Sequence, residues 1–211
     1  MIDPNGFVRA NTALGRHPLV PEIELYLASE LTPIWQATEE LLAREGVAPP
    51  YWAFAWPGSA ALARLVLDRP ELVRGKRVLD FAAGGGLLAV ACAMAGAEVE
   101  AVEIDPLAVA AIERNAAQNQ VDVRAVCADV VGSACRWDMI LCGDVCYEAA
   151  MTAHILPWLR TMAEHVEVWI ADPGRAYMPK TGLEAMLTTV VPTTLELEDH
   201  TSRSVTIWRI K

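Results

Sequence analysis

From Lys76 onward the apolar positions follow two alternating periods. Short runs of strand character, "KRVLDFA", "EVEAVEI", "VDVRAVCA", "WDMILCG" and "VEVWIA", are separated by stretches of helical spacing. The helical stretches include the segment ending near Met94, "PLAVAAIERNAAQN" and "AAMTAHILPWLRTMAE". Short apolar strands joined by helices predict an α/β fold, a parallel sheet covered on both faces. The tail changes character. "LTTVVPTTLELED" and "SRSVTIWRIK", separated by "HT", predict an antiparallel hairpin. Upstream, "VPEIELYLASELTPIWQATEELLAREG" has helical spacing at Ile23, Leu27, Leu31, Ile34 and Leu41, with Pro33 expected to split it. Gly46 and "APP" stop that run, and a further helix opens at or just after Pro57. The reading is an N-terminal helical extension over residues 1–50 and a sheet domain over 51–211, forming one compact unit.

Composition narrows the class. At 211 residues, 54% hydrophobic and 21% charged, the chain has the balance of a globular domain with a substantial core. A net charge of −10 argues against tracking along a nucleic-acid backbone and fits a small ligand or a lysine-bearing partner. Five cysteines without a CxxC pair, Cys92 on a helix and Cys127 on a strand among them, read as buried, reduced thiols. The four histidines have no ligand spacing, so no metal site is expected. "MIDPNGFVRA" lacks the basic start and apolar run of a signal peptide, and Phe81 to Ala97 is short for a membrane span. A cytoplasmic protein without a membrane partner is the expectation.

The chemistry centres on "DFAAGGG", Asp80 to Gly86, which lies between a strand and a helix. Such a turn brings backbone close to a ligand and offers it unpaired N–H groups. Gly84-x-Gly86-x-x-Ala89 also satisfies the dinucleotide fingerprint. Asp80 weighs against a dinucleotide, because a carboxylate at the strand end repels a pyrophosphate. The same group can hold the ammonium of S-adenosylmethionine (SAM), which carries no phosphate. Glu103, at the tip of the next strand, suits ribose hydroxyls in either cofactor. Asp129 can meet an adenine amino group or simply close a turn.

"VLDFAAGGG", "AVEIDP", "CADV" and "MILCGDVCYE" together resemble the motifs of class I SAM-dependent methyltransferases. "WPGSAALARL" and Asp144-x-x-Tyr147 are similar to the methyltransferase-like family 16 group. Within that group, "HPLVPEIELYLA", "PPYWAFAWPG", "GDVCYE" and "DPGRAYMP" look like the electron transfer flavoprotein β-subunit lysine methyltransferases and their bacterial relatives. The resemblance implies a Rossmann-like seven-stranded sheet with SAM as cofactor. It also implies a protein-lysine acceptor on the flavoprotein β subunit. Another protein, such as a ribosomal protein, a small amine, or SAM binding without turnover remain alternatives. The residues it implies at the cofactor are Trp56, Asp80, Ala82, Gly84, Gly86, Glu103, Ile104, Asp129 and Val130. Asp144 and Tyr147 would be catalytic, with Glu148, Arg175 and Tyr177 on the substrate side. Capping of the helix near Ala149 is the competing role for Asp144. In one departure, Ala82 replaces the family's first turn glycine, which a methyl group tolerates if φ is negative.

Overall fold

A computed structural model describes residues 3–28 and 49–211. Two layers of helix cover a seven-stranded sheet. In chain order the sheet strands are β3 (Arg77–Phe81), β4 (Glu98–Glu103), β5 (Arg124–Cys127), β6 (Met139–Gly143), β7 (Glu167–Asp172), β8 (Leu183–Pro192) and β9 (Ser202–Ile210). Their spatial order is β5-β4-β3-β6-β7-β9-β8, parallel except for β9, which runs antiparallel to both neighbours. The helices are α2 (Pro57–Asp68), α3 (Leu87–Met94), α4 (Pro106–Gln118) and α5 (Ala149–Ala163). Strand alternation sorts the core. Val78, Met139 and Leu141 face α2 and α3, whereas Leu79, Phe81, Ile140 and Cys142 face α5. The connections reverse direction between β3 and β6, so the loops there diverge and leave a crevice at the strand carboxyl ends.

This is the expected seven-stranded, Rossmann-like α/β sheet with its terminal antiparallel pair. The hairpin differs in detail. β8 begins at Leu183, before the apolar run, and residues 195–198 form a single helical turn, α6 (Leu195–Glu198), rather than strand. Glu198 explains that turn: its carboxylate is buried against Arg175 and Arg203, which an extended strand would not present together.

At the other end, α1 (Pro4–Asn11) precedes a two-stranded ribbon of β1 (Ala13–Gly15) and β2 (Leu25–Leu27). The helix expected from Val20 is therefore absent over residues 20–28, which form a turn and then the short strand Leu25–Leu27. Ile23 and Leu25 are buried while Glu24 and Tyr26 are half-buried, a period of two. The helix positions at Leu31, Pro33, Ile34 and Leu41 lie outside the described residues. Buried Asn115 of α4 and Asn119, the residue that caps its C-terminus, hold the ribbon. Asn115 accepts from the Tyr26 N–H at 2.7 Å and donates to the Gly85 carbonyl at 2.7 Å. Asn119 accepts from Glu24 N–H and donates to its carbonyl, as a neighbouring strand would. Among the described residues no helix is long and apolar enough to cross a membrane, and no group of three or more His, Cys, Asp or Glu can hold a metal. All five thiols are free, but Cys127 is exposed rather than buried, because β5 is the outer strand of the parallel half.

Candidate active site

A cavity of about 480 Å³ occupies the crevice at the carboxyl ends of β3, β4, β5 and β6. Its floor begins at the turn after β3. Gly84 and Gly86 take φ of +55° and +79°, left-handed conformations that glycine adopts without steric cost. Ala82 also sits at φ +54°. The negative φ under which its methyl group would fit is therefore absent, and the alanine carries the strain of a left-handed residue on the cavity wall.

β4 delivers the next group. The Glu103 carboxylate accepts from Gly84 N–H at 2.7 Å and from Ile104 N–H at 3.0 Å, one bond on each oxygen. Each oxygen keeps acceptor capacity toward the cavity. Burial raises its pKa, against the backbone N–H groups of Gly84, Ile104 and Asp105, which stabilise the charge. Asp105 caps α4 by accepting from Leu107 N–H at 2.8 Å, with Pro106 pre-set at the first helical position. Ile104 is largely exposed and forms an apolar wall with Val130. Asp129 accepts from Val131 N–H at 2.9 Å and pairs with His154 Nε2 at 2.8 Å, which together hold its carboxyl below the ordinary range.

The opposite end is built from β6, α2 and the loop after β7. Asp144 is buried, at φ +55°, and its carboxylate accepts from Gly58 N–H and from Arg175 Nη2 at 2.9 Å. A Cβ at Gly58 would lie 2.5 Å from that carboxylate, so only glycine permits the approach. Desolvation pushes Asp144 up to about 6, with Arg175 and Gly58 acting against it. The helix-cap role does not hold: Glu148 occupies the α5 N-cap position, with no side-chain cap bond. Tyr147 packs on Tyr51 with ring centroids 5.5 Å apart, and Tyr51 meets Trp56 at 6.0 Å. Burial raises the Tyr147 phenol pKa, so it stays neutral.

Trp56, Glu148 and Arg175 also line the cavity; Asp80, Gly86 and Tyr177 do not. Asp80 lies inside β3 on the face toward α2 and α3, one residue out of phase with Phe81, which does reach the cavity. Its Oδ2 has no hydrogen-bond partner among the described residues, and burial lifts the group to about 8 against the Ala89 N–H bond. Tyr177 is exposed outside the cavity. Arg175 reaches the cavity wall, but its guanidinium is engaged by Asp144 and Glu198. The sequence reading missed Tyr51, Asp105, His154 and Glu198. Tyr51 stands in "PPYWAFAWPG" and Asp105 in "AVEIDP", whereas nothing local marks His154 or Glu198.

The cavity wall carries five carboxylates, Glu103, Asp105, Asp129, Asp144 and Glu148, against His154 and the engaged Arg175. A diphosphate would meet that field unfavourably, whereas a phosphate-free, positively charged nucleoside suits it. The comparisons bear on the same choice. A methyltransferase small domain matches residues 54–143. An electron transfer flavoprotein β-subunit lysine methyltransferase of Xenopus laevis is 38% identical, over 82% of this chain and 71% of its own length. That of Danio rerio is 33% identical over 98% of this chain and 83% of its own. The chain belongs to this methyltransferase family. Among solved structures, magnesium protoporphyrin IX methyltransferase from Synechocystis PCC 6803, with bound SAM, aligns at a TM-score of 0.54. It is 19% identical over 72% of this chain and 79% of its own, a likeness of fold. The turn after β3, Glu103, Asp144 and Tyr147 all line this one cavity.

Proposed function

We propose that the protein is a SAM-dependent protein-lysine N-methyltransferase acting on the electron transfer flavoprotein β subunit. The observation that carries the reading is one cavity joining a phosphate-averse nucleoside end to a buried carboxylate flanked by aromatic rings. The names of its full-length relatives supply the acceptor.

The residues present fit SAM. Glu103 has free acceptor capacity for ribose hydroxyls, Ile104 and Val130 offer apolar faces to an adenine, and Asp129 can accept from its amino group. When bound, SAM supplies a sulfonium methyl: the amine lone pair forms the new carbon–nitrogen bond as the carbon–sulfur pair leaves with the thioether. The chain aligns the acceptor, excludes water and admits the amine without its extra proton. Freeing a lysine of that proton near pH 7.4 costs about 4 kcal/mol in water. Asp144 is placed to accept an N–H bond from the amine, and Tyr51, Trp56 and Tyr147 wall its path. The surplus proton goes to solvent. The acidic cavity mouth and the net charge of −10 favour approach of a lysine-bearing surface.

The test incubates the purified protein with SAM and its own host's β subunit, followed by mapping of methyl-lysine by mass spectrometry. Methylated β-subunit lysines are expected. An unmodified, folded β subunit alongside measurable SAM binding would reject this acceptor.

A further inference from the structure

Five charged side chains converge behind the acceptor end of the cavity. Arg175 Nη2 lies 2.9 Å from Asp144 Oδ1 and also binds Glu198 Oε1, while its Nη1 lies 3.3 Å from Glu198 Oε2. Glu198 is itself buried and has Arg203 Nε 3.3 Å from Oε2 on its far side. Asp172, at the end of β7, turns Oδ1 to the backbone N–H groups of Gly174 and Arg175, both at 2.6 Å. The Arg175 guanidinium lies 5.6 Å from the Trp56 ring centroid, which keeps it along the wall rather than across the cavity. Among the other titratable neighbours, Cys146 is neutral, because burial and the nearby Asp172 push its thiol up to about 12. Tyr147 and Glu148 line the same cavity, and His200 Nδ1 lies 3.2 Å from the Glu198 backbone carbonyl.

This arrangement answers a problem posed by the chemistry. A lone carboxylate in a water-poor cavity would hold a lysine as its ammonium, the form that cannot attack. A lone guanidinium would repel the lysine altogether. We propose that Glu198 acts through Arg175 as the charge regulator of Asp144: Arg175 cancels part of the carboxylate's charge so that the amine enters as the neutral nucleophile, and Glu198 limits that cancellation so that Asp144 still accepts an N–H bond. Arg175 touches the cavity, whereas Glu198 is a positioning residue, delivered by α6 from the β8–β9 connection. The inference rests on the lysine reading of the acceptor site. It makes the α6 turn, which the apolar pattern reads as strand, part of the active centre.

Its test is the acid limb of kcat against pH, which reports groups in the bound complex. Glu198→Gln removes an anion beside Arg175 and is expected to move the limb down by roughly half a unit. Arg175→Gln moves it up by about one unit or more, and Arg175→Lys, which keeps the charge, restores its position at reduced kcat. Arg203→Gln leaves Glu198 freer to act on Arg175 and moves the limb up; it serves if Glu198→Gln does not fold. In parallel, 13C NMR of carboxyl-labelled aspartate, with the Asp144 signal assigned by its loss in Asp144→Asn, follows the group without any substrate. The expected order of midpoints is Arg175→Gln, wild type, Glu198→Gln, from high to low. Coincident midpoints and limbs, with only kcat lowered, would overturn the proposal and leave the pair a packing role. An unmethylated β subunit with the NMR order intact would reject the acceptor alone.

Discussion

On the β3–β4–β5 side of the cavity, polar groups are held by backbone close to them in the chain or just across the neighbouring turn. Glu103 is held by Gly84 and Ile104, Asp105 by Leu107, Asp129 by Val131. On the β6–β7 side, Asp144 is held by Gly58 and Arg175, 86 and 31 positions away, and Arg175 in turn by Glu198, 23 positions further on. The first side is mainly a set of strand–helix turns, although Glu103 also needs the turn after β3 and Asp129 also pairs with His154 of α5. The second exists only when α2, β7 and the β8–β9 connection have all docked. Under the proposed function, the first construction would read a nucleoside, whose groups are fixed and polar. The second would choose the protonation state of an amine, which depends on charges gathered from several elements.

Substitutions can separate the two sides. The largest effect is expected for Asp144→Asn, which keeps a side chain tolerant of left-handed backbone but removes the carboxylate. Methyl transfer should fall by about 10²-fold or more while SAM affinity, measured by calorimetry, stays near wild type. An equal loss of SAM affinity would erase the division. Next comes Glu103→Ala, which on the proposed function would forfeit charge-assisted bonds to the ribose and should weaken SAM binding by about 1.5–3 kcal/mol. At saturating SAM its kcat should recover most of its value, and a kcat deficit that saturation does not cure would place Glu103 in the acceptor half as well.

A third, smaller effect concerns Asp80. Its folded pKa of about 8 lies above that of the unfolded chain, so the folded state binds more protons in between. The associated stability is present in acid and lost as pH rises through about 8. Thermal unfolding between pH 6 and 9 should show Tm falling with pH, and Asp80→Asn should flatten that fall. An unflattened curve would assign the pH dependence to Asp144 and Asp172, whose pKa values burial also raises. The smallest effect is Ala82→Gly. Relief of a left-handed alanine should stabilise the fold by about 1 kcal/mol, a Tm gain of roughly 2–4 °C. A lower Tm would mean that the turn tolerates the methyl group without strain.

The two sides were also unequally legible. Gly84, Glu103 and Asp129 follow apolar strands and could be placed by spacing, because a strand's end and a helix's start fix where such groups point. Asp80 shows the limit of that reasoning: one step of strand phase separates a cavity residue from a core residue, and "VLDFAAGGG" does not state the phase. Asp144 and Arg175 were visible as residues, but their engagement with each other was not. Glu198 was hidden, because "TTLELED" has the alternation of a strand and the arginines that turn it into a helix lie on other elements. The ribbon strand β2 was misread for a related reason. Its partners are the α4 side chains Asn115 and Asn119 as much as a strand, and no periodicity within residues 20–28 announces them.

The order β7-β9-β8 has a consequence for assembly on the ribosome. β8 leaves the exit tunnel before β9, yet β9 must lie between it and β7, so β8 has no sheet neighbour waiting for it. Met186, Leu187 and Val190 stay exposed even in the finished sheet, where β8 is the edge strand, and before β9 pairs the strand's backbone is open on both sides, the hazard of an unpaired edge in a nascent chain. The parallel strands β3 to β7 can meanwhile pair and close their crossovers. A nascent chain halted at that stage would hold Glu103 by its backbone bonds and still lack Glu198 and Arg203.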